Sequence, residues 1–203
     1  MDDFKDLHSL KPYQLTMTRF NCETYIENRT YSEKHSIPCI YGTPRTLRAV
    51  IPEKTKIIVI ELNVESEYAD IKGFGVIENV PHYRKCKIYD NTKYNLYAYI
   101  GIAHIPIKEF RKFKYYIEYG KDEMLWEIKG NTIYKAMKEE LLFGKGHSRR
   151  GYGITQYPIE KMKDIEKQIG IPECLRENQY LTLYKLIYMM LRGILKGYEY
   201  CKI

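Results

Sequence analysis

Three features of the sequence predict an α+β fold, in which a small curved antiparallel β-sheet or a partly closed barrel carries C-terminal helices. Apolar and polar residues alternate in 57–64 and again in 94–105, as they do in strands. Beyond residue 130 the apolar residues follow the helical period instead. The composition, with 44% hydrophobic and 29% charged residues, is typical of a globular chain and not of a disordered one.

The length of 203 residues is that of one ordinary domain. The first 36 residues are polar and weakly periodic, so we interpret 1–36 as an extended or irregular N-terminal arm. We expect a single α+β domain over 37–203, mainly β in 37–106 and mainly α in 107–203. No internal repeat or low-complexity tract divides this segment.

The clearest strand covers residues 57–64. A polar turn at 67–70 separates it from a second strand at 71–77, and this spacing predicts an antiparallel hairpin. Glu61 and Glu65 share the polar face of the first strand, which we expect to be exposed. The opposite face carries Ile58, Ile60, Leu62 and Val64.

Two further strands are predicted, a short one at 85–89 and a longer one at 94–105, joined by a polar turn at 90–93. His104 alternates onto the inward face of the longer strand, which is the usual position of a hydrogen-bonded core histidine. The inward face is expected to carry Leu96, Ala98, Ile100 and Ile102, with Tyr97 and Tyr99 on the other face.

Gly73 and Gly75 lie two residues apart and therefore on one face of the second strand. Glycine weakens a strand, so such a pair indicates that something packs close to the backbone. A tightly packed helix is favoured here over a ligand.

Three helices are expected in the C-terminal half. Asn131 can cap a helix that runs to about Leu142, Pro158 suits the first residue of a second, and a third covers 179–196. The last helix is apolar on most sides but contains Lys185, so a buried helix is favoured over a membrane span. Residues expected to face inward are Ile133, Tyr134, Met137 and Leu141 in the first helix, and Leu183, Ile187, Leu191, Ile194 and Leu195 in the last.

The charge and the cysteines restrict the partners and the compartment. The net charge of +7 and pI of about 9.0 favour polyanionic partners. Five widely spaced cysteines without a CxxC pair predict no disulfide framework, and the polar N-terminus resembles no signal peptide, so we expect a reducing intracellular compartment. His82 and Cys86 alone do not make a metal site, and no metal, cofactor or membrane partner is expected.

The segment from Phe143 to Gly153 is the strongest candidate for a functional site. It holds four glycines, three fixed positive charges and one histidine, with no acid. Glycines bring backbone N–H groups close to a ligand, arginine matches phosphate oxygens in pairs, and a tyrosine can stack on a base. We therefore predict a nucleic-acid-binding loop, for RNA or DNA, made by Gly144, Lys145, Gly146, His147, Arg149, Arg150, Gly151 and Tyr152.

Within this loop, Lys145, Arg149 and Arg150 are predicted to contact phosphates, with both arginines exposed. The alternative is a basic connector between two helices that binds nothing. A second basic stretch, 108–115, interleaves four cations with aromatic residues. This stretch either extends the surface that contacts nucleic acid, or it is a helix in which the aliphatic parts of the lysine side chains cover the aromatic residues.

Catalysis is a weaker interpretation, and no catalytic residue is assigned. His147 beside the two arginines resembles part of a nuclease-like phosphoryl-transfer site, and Glu139 and Glu140 lie just before the loop. No recognised nucleophile or metal-protease motif is present in the sequence. A virion or scaffold protein whose basic face meets DNA or another protein is a third possibility, and the oligomeric state is open.

Three stretches resemble an uncharacterised protein family of the nucleocytoplasmic large DNA viruses, the giant viruses. They read IVIELNVESEYADIKGFGVIEN, KIYDNTKYNLYAYIGIAHI and LLFGKGHSRRGYGIT. The resemblance implies no activity. It implies a location in the host cytoplasm, the viral factory or the virion.

The strand reading I-x-G-F-G-V-I is similar to a strand of PUA-like domains, including their ASCH and EVE branches. The matching residues are Gly73 to Ile77. This resemblance implies a small curved sheet or partly closed barrel that binds RNA or modified bases. Trp126 is the only tryptophan, so the cage of several tryptophans found in related readers of modified bases is absent.

Overall fold

The computed structural model describes residues 14–47, 51–82, 86–120, 123–144, 147–177, 182–197 and 199–202. Within them the chain forms two β-sheets and six α-helices, which confirms the α+β class. The strands are β1 (Leu15–Phe20), β2 (Ile40–Thr43), β3 (Lys56–Asn63), β4 (Asp70–Glu78), β5 (Tyr97–Pro106), β6 (Lys114–Tyr119), β7 (Met124–Lys129), β8 (Thr155–Gln156) and β9 (Tyr200–Lys202). The helices are α1 (Cys22–Lys34), α2 (Ile107–Lys112), α3 (Gly130–Lys138), α4 (Ile159–Gln168), α5 (Glu173–Glu177) and α6 (Leu183–Lys196).

The larger sheet has six strands in the order β2-β5-β4-β3-β1-β8. β3 and β4 form the predicted antiparallel hairpin, with Ile57 opposite Ile77. Register shifts at Glu61/Leu62 and at Val76/Ile77 bend the strands, and the sheet curls as expected. One pair departs from the antiparallel prediction, because β1 runs parallel to β3.

Residues 15–34 do not form the extended arm that was expected. β1 lies inside the large sheet between β3 and β8, and α1 follows after Asn21 alone. The helix was missed because it has no apolar stripe. It packs instead through buried Asn28, whose side-chain amide donates to the carbonyl of Ile40, and buried Ser32, which donates to the carbonyl of Asn28.

Residues 86–89 are not the third strand that was predicted, and Lys85 lies outside the described residues. The partner of β5 is β2 instead. The carboxamide of Asn95 holds the 86–95 segment, because its oxygen accepts from the N–H groups of Ile88 and Tyr89 and its nitrogen donates to the carbonyl of Tyr89. Hydrogen bonds of the Asn95 side chain thus take the place of backbone hydrogen bonds between strands in this segment.

The predicted faces of β5 are also partly wrong. Ala98 is buried, but Ile100 and Ile102 are exposed, whereas Tyr99 is completely buried. The strand changes partner along its length, since its first half pairs with β2 and its second half pairs with β4 across a register shift. One alternation of inward-facing and outward-facing residues therefore cannot describe the whole of β5.

A second sheet, in the order β7-β6-β9, lies in the region expected to be mainly helical. Its central strand β6 buries Tyr115 and Ile117 against the helices. β9 pairs with it in parallel, so the last strand of the chain meets a segment more than eighty residues earlier. The sequence pattern gave no indication of this long-range pairing.

Both faces of the large sheet are buried. One face packs with the C-terminal helices around Leu15, Ile60 and Phe74. The other face lies inside the curl with Ile57, Val59, Tyr41 and Tyr99, where α1 contributes Tyr25 and Tyr31. The polar face of β3 is therefore interior, and the expected exposure of Glu61 is wrong.

The C-terminal helices follow the predicted pattern closely. The inward residues of α3 and of the π-helical turn Glu139–Phe143 are buried, although Asn131 bonds Arg111 and does not cap. Pro158 directly precedes α4. In α6, Leu183, Ile187 and Leu191 are buried, whereas Ile194 is half-buried and Leu195 is 53% exposed.

Among the described helices, none has both the length and the apolar composition that crossing a membrane requires.

A buried carboxyl group joins three strands of the large sheet, β2, β3 and β5. Glu61 on β3 is 0% exposed and accepts a hydrogen bond from the hydroxyl of Tyr41 on β2 at 2.7 Å. Its other oxygen lies 3.0 Å from Nε2 of His104 on β5. Burial, with Cys39 and Glu61 nearby, raises the pKa of Tyr41 well above its ordinary value, so the phenol stays protonated and donates.

The glycines of β4 make room for this cluster. A Cβ at Gly75 would overlap the hydroxyl of Tyr41. A Cβ at Gly73 would lie 3.1 Å from Nε2 of His104 and 3.2 Å from Oε2 of Glu61. The space above the two glycines is therefore occupied by side chains from other strands of the same sheet, and the favoured packing of a helix there is wrong.

We predict that Glu61→Ala strongly destabilises the protein. The substitution leaves the buried Tyr41 hydroxyl and the His104 ring without their partner, and breaking such a buried interaction costs ~3–5 kcal/mol. Glu61→Gln should cost less, because the amide oxygen can still accept from Tyr41. The free energy of unfolding measured in urea tests this, with exposed Glu67→Ala as the control; equal losses for Glu61→Ala and Glu67→Ala would contradict it.

A second prediction concerns pH. Burial raises the pKa of Glu166, and a smaller opposing effect comes from the backbone N–H of Leu183, which donates to it at 2.7 Å. A raised folded-state pKa gives a contribution to stability that is present below the unfolded pKa and is lost as the pH rises through the folded one. Glu166→Gln should therefore be more favourable relative to the parent at pH 7 than at pH 4. Parallel denaturation curves at the two pH values check this, and an unchanged difference would contradict it.

Candidate functional site

A cleft of 340 Å³ opens at the carboxyl ends of the parallel strands β1 and β3. Ligands of α/β sheets commonly bind beyond the carboxyl ends of parallel strands, where the following helix begins. The residues that line the cleft come from segments far apart in the sequence: Thr18, Arg19, Phe20, Asn21, Thr24, Gly42, Val64, Tyr89, Asn91, Tyr94, Arg149, Gly151 and Gly153.

Arg19 extends from β1 into the floor of the cleft and fixes the basic loop. Its Nε donates to the carbonyl oxygen of Ser148, and Nη1 donates to Oγ1 of Thr155 at 2.8 Å. Both acceptors are neutral. Burial lowers the pKa of Arg19 to about 10, so the guanidinium is charged at neutral pH yet partly stripped of water.

Arg149 provides the second cation of the cleft. Its Nε donates to the carbonyl of Leu142 at 2.7 Å, and its guanidinium carbon lies 5.0 Å from the centre of the Phe143 ring. Within the described part of the chain, neither arginine lies within 4.0 Å of a carboxylate. The described lining therefore has two positive charges and no negative one.

The start of α1 forms one edge of the cleft but is already capped. Asn21 accepts from the N–H of Thr24 at 2.8 Å, and the Thr24 hydroxyl accepts from the N–H of Asn21. Glu65, next to the cleft, accepts from the N–H of Cys22; hydrogen bonds from the thiol of Cys22 and from this N–H lower the pKa of the Glu65 carboxyl group. The attraction for an anion thus rests on the arginines and not on free helical N–H groups.

Tyr89 and Tyr94 form an aromatic wall. The Tyr89 hydroxyl accepts from the Asn28 amide at 2.9 Å, and the two rings meet edge to face with centroids 6.3 Å apart. Burial raises the pKa of Tyr94, and nearby Tyr152 raises it further. Tyr89 is buried, so the half-buried ring of Tyr94 is the part of this wall on which a base can stack while the arginines neutralise its phosphate.

The basic loop divides into an outer and an inner part. His147, Arg150, Gly151 and Tyr152 are exposed, with Tyr152 at 77%, whereas Gly144 is half-buried. The predicted exposure of Arg150 is confirmed, but Arg149 is half-buried because it folds back on Leu142 and Phe143. Lys145 and Gly146 lie outside the described residues.

Two glycines of the loop have backbone angles that other residues rarely adopt. Gly151 has φ of 139° and Gly153 has φ of 64°. A Cβ at Gly151 would lie 3.0 Å from Nη1 of Arg19, so this glycine also permits the close approach of the loop to the cation.

Among the described residues, none of the carboxylates expected near His147 is shown in contact with it. Glu140, expected as a possible member of a catalytic group, pairs with Lys161 at 2.6 Å instead. The described residues contain no set of three His, Cys, Asp or Glu side chains that could hold a metal. Cys22, Cys39, Cys86 and Cys174 are free thiols.

The second basic stretch forms α2 and the start of β6. Lys108, Lys112 and Lys114 are exposed, while Phe110 is completely buried. Arg111 lies over the ring of Tyr134, with its guanidinium carbon 4.5 Å from the centroid. Cations over an aromatic layer account for the interleaved pattern, and this surface does not line the cleft.

Arg19 and the tyrosine wall were not among the site residues predicted from the sequence. One signal could have pointed to this region, because Asn21 and Thr24 have the spacing of a capping box. With a helix beginning after Asn21, the preceding LTMTRF segment is interpreted as a strand that leads directly into that helix. The distance of more than 120 residues between Arg19 and the loop leaves no local trace of their contact.

Protein-family models gave no match to the chain, and the curated proteins gave no significant one. The resemblances to a giant-virus family and to PUA-like domains stay predictions. A functional assignment therefore depends on the residues of the cleft.

We predict that the two loop arginines differ in their effect on stability. Arg149→Ala removes the hydrogen bond to Leu142 and the contact with Phe143, and should lower the free energy of unfolding by about 1–2 kcal/mol. Arg150→Ala changes an exposed side chain and should alter it by less than about 0.5 kcal/mol. Chemical denaturation of the two variants tests this, and equal effects would show that Arg149 does not hold the loop.

Proposed function

We propose that this protein binds nucleic acid, RNA or DNA, through the cleft between the basic loop and the start of α1. The observation that carries the proposal is the pair Arg19 and Arg149, which face one aromatic-walled cleft without a carboxylate among its described lining residues. Two partly buried cations without a carboxylate partner among the described residues favour an anionic ligand. Phosphate is the anion that arginine recognises best through paired hydrogen bonds.

The surroundings of the cleft favour a polymer. His147, Arg150 and Tyr152 project from the same loop at its outer side, where further phosphates or bases of a strand would pass. The net charge of +7 adds long-range attraction for a polyanion. These features support a footprint that is centred on the cleft and extends over the loop.

Arg19→Gln should weaken binding to a labelled oligonucleotide by about tenfold or more at moderate salt, because a charged hydrogen bond is worth ~1.5–3 kcal/mol. The loss should be similar for all sequences, and the slope of log affinity against log salt should fall by about one unit. Titrations of RNA and DNA strands at several salt concentrations measure both quantities.

A matched variant separates charge from structure. Thr155→Val removes the 2.8 Å hydrogen bond to Arg19 but keeps the cation, so its affinity should stay close to that of the parent. Binding that survives Arg19→Gln unchanged would refute the proposal. Strand cleavage by the parent, with binding retained and cleavage lost in His147→Ala, would instead support a nuclease-like function.

A further inference from the structure

We infer that the cleft recognises the terminal phosphate monoester of a single strand and not an internal phosphodiester. The inference rests on the proposed function and specifies which part of the nucleic acid enters the cleft. Three properties of the cleft support it: its volume, its charge and the position of its aromatic wall.

The volume suits one nucleotide. At 340 Å³, the cleft is near the lower end of the range of ~300–1,000 Å³ for small-molecule sites. It has no room for a duplex, and its sides belong to the basic loop and to the Tyr89–Tyr94 wall. A strand can therefore place only one nucleotide inside the cleft. A nucleotide at the free end can enter alone, whereas an internal nucleotide would require the backbone to bend into the cleft and out again.

The charge suits a dianion. An internal phosphodiester carries one negative charge, whereas a phosphate monoester carries about −1.5 to −2 at neutral pH. Arg19 and Arg149 together supply two charges that no carboxylate neutralises within the described residues. Because Arg19 is partly desolvated, its interaction with the extra charge of a monoester is screened less than at the surface.

The wall suits the base that follows the phosphate. Tyr94 is half-buried beside the cleft, and Tyr89 is held in place by Asn28. With the phosphate at the arginines, the first nucleoside lies against the half-buried Tyr94 ring, which packs edge to face on the buried Tyr89 ring. Asn91 also lines the cleft; its carboxamide oxygen accepts from the N–H of Lys93, and its amide nitrogen can donate to the base or the sugar.

The test is a binding titration with short single strands of one sequence. Four versions are compared: a 5′-phosphate, a 3′-phosphate, hydroxyl groups at both ends, and a covalently closed circle. We expect one of the phosphorylated strands to bind at least about tenfold more tightly than the hydroxyl strand and the circle, as expected for an added charged hydrogen bond. Arg19→Gln and Arg149→Gln should each abolish this preference.

Arg150→Gln is the matched control, because it removes an exposed loop cation outside the described lining of the cleft. It should weaken all four versions equally and leave the preference intact. Circular dichroism and thermal melting of each variant show whether it is folded. Thr155→Val, with Arg19 charged, should keep the preference even if the loop is slightly destabilised.

Equal affinity for the phosphorylated strands, the hydroxyl strand and the circle, lost in Arg19→Gln, would overturn the inference and leave nucleic-acid binding standing. Failure of all four to bind would refute both. A nucleoside monophosphate is titrated in parallel. If it binds as tightly as the phosphorylated strand while the hydroxyl strand does not bind, the cleft takes a phosphate monoester from a free nucleotide, and the polymer proposal fails.

Discussion

The sheet depends on the hydrogen bonds of one buried group, the carboxyl group of Glu61. It has no exposure to water, and it receives the Tyr41 hydroxyl from one side and the His104 ring from the other. Burying a polar group is costly unless it is hydrogen-bonded, so β2, β3 and β5 must stay in register for the group to be satisfied. Gly73 and Gly75 complete the arrangement, since β4 lies beneath the cluster and any side chain there would displace it.

The curl that this cluster fixes also creates the cleft. α1 follows β1 directly and packs Tyr25 and Tyr31 against the cluster inside the curl. The carboxyl ends of β1 and β3 then meet the 86–95 segment on one side and the basic loop on the other. Arg19 connects the sheet to the basic loop, because its side chain on β1 donates to the carbonyl of Ser148 within the loop. The position of the loop is thus determined by the sheet and not by its own glycines.

Periodicity predicted the elements whose buried faces are apolar. The β3–β4 hairpin and the helices α3 and α6 follow directly from it. It failed where polar residues are buried. The helix α1 packs through Asn28 and Ser32, and the polar face of β3 is interior because Glu61 finds partners on other strands. Such partners are distant in sequence, so no local pattern distinguishes a satisfied buried carboxyl group from an exposed one.

Composition located the loop of the candidate site, since a run with four glycines, three cations and no acid is unusual in any chain. It could not identify the deeper cation. Arg19 sits in a segment of ordinary composition, and what sets it apart is burial without a carboxylate partner. That burial penalises the charged form in the folded protein, and a bound phosphate would offset the penalty. If the cleft binds an anion at Arg19, ligand affinity and folding stability are linked through this one side chain, because a ligand that binds only the folded state stabilises it.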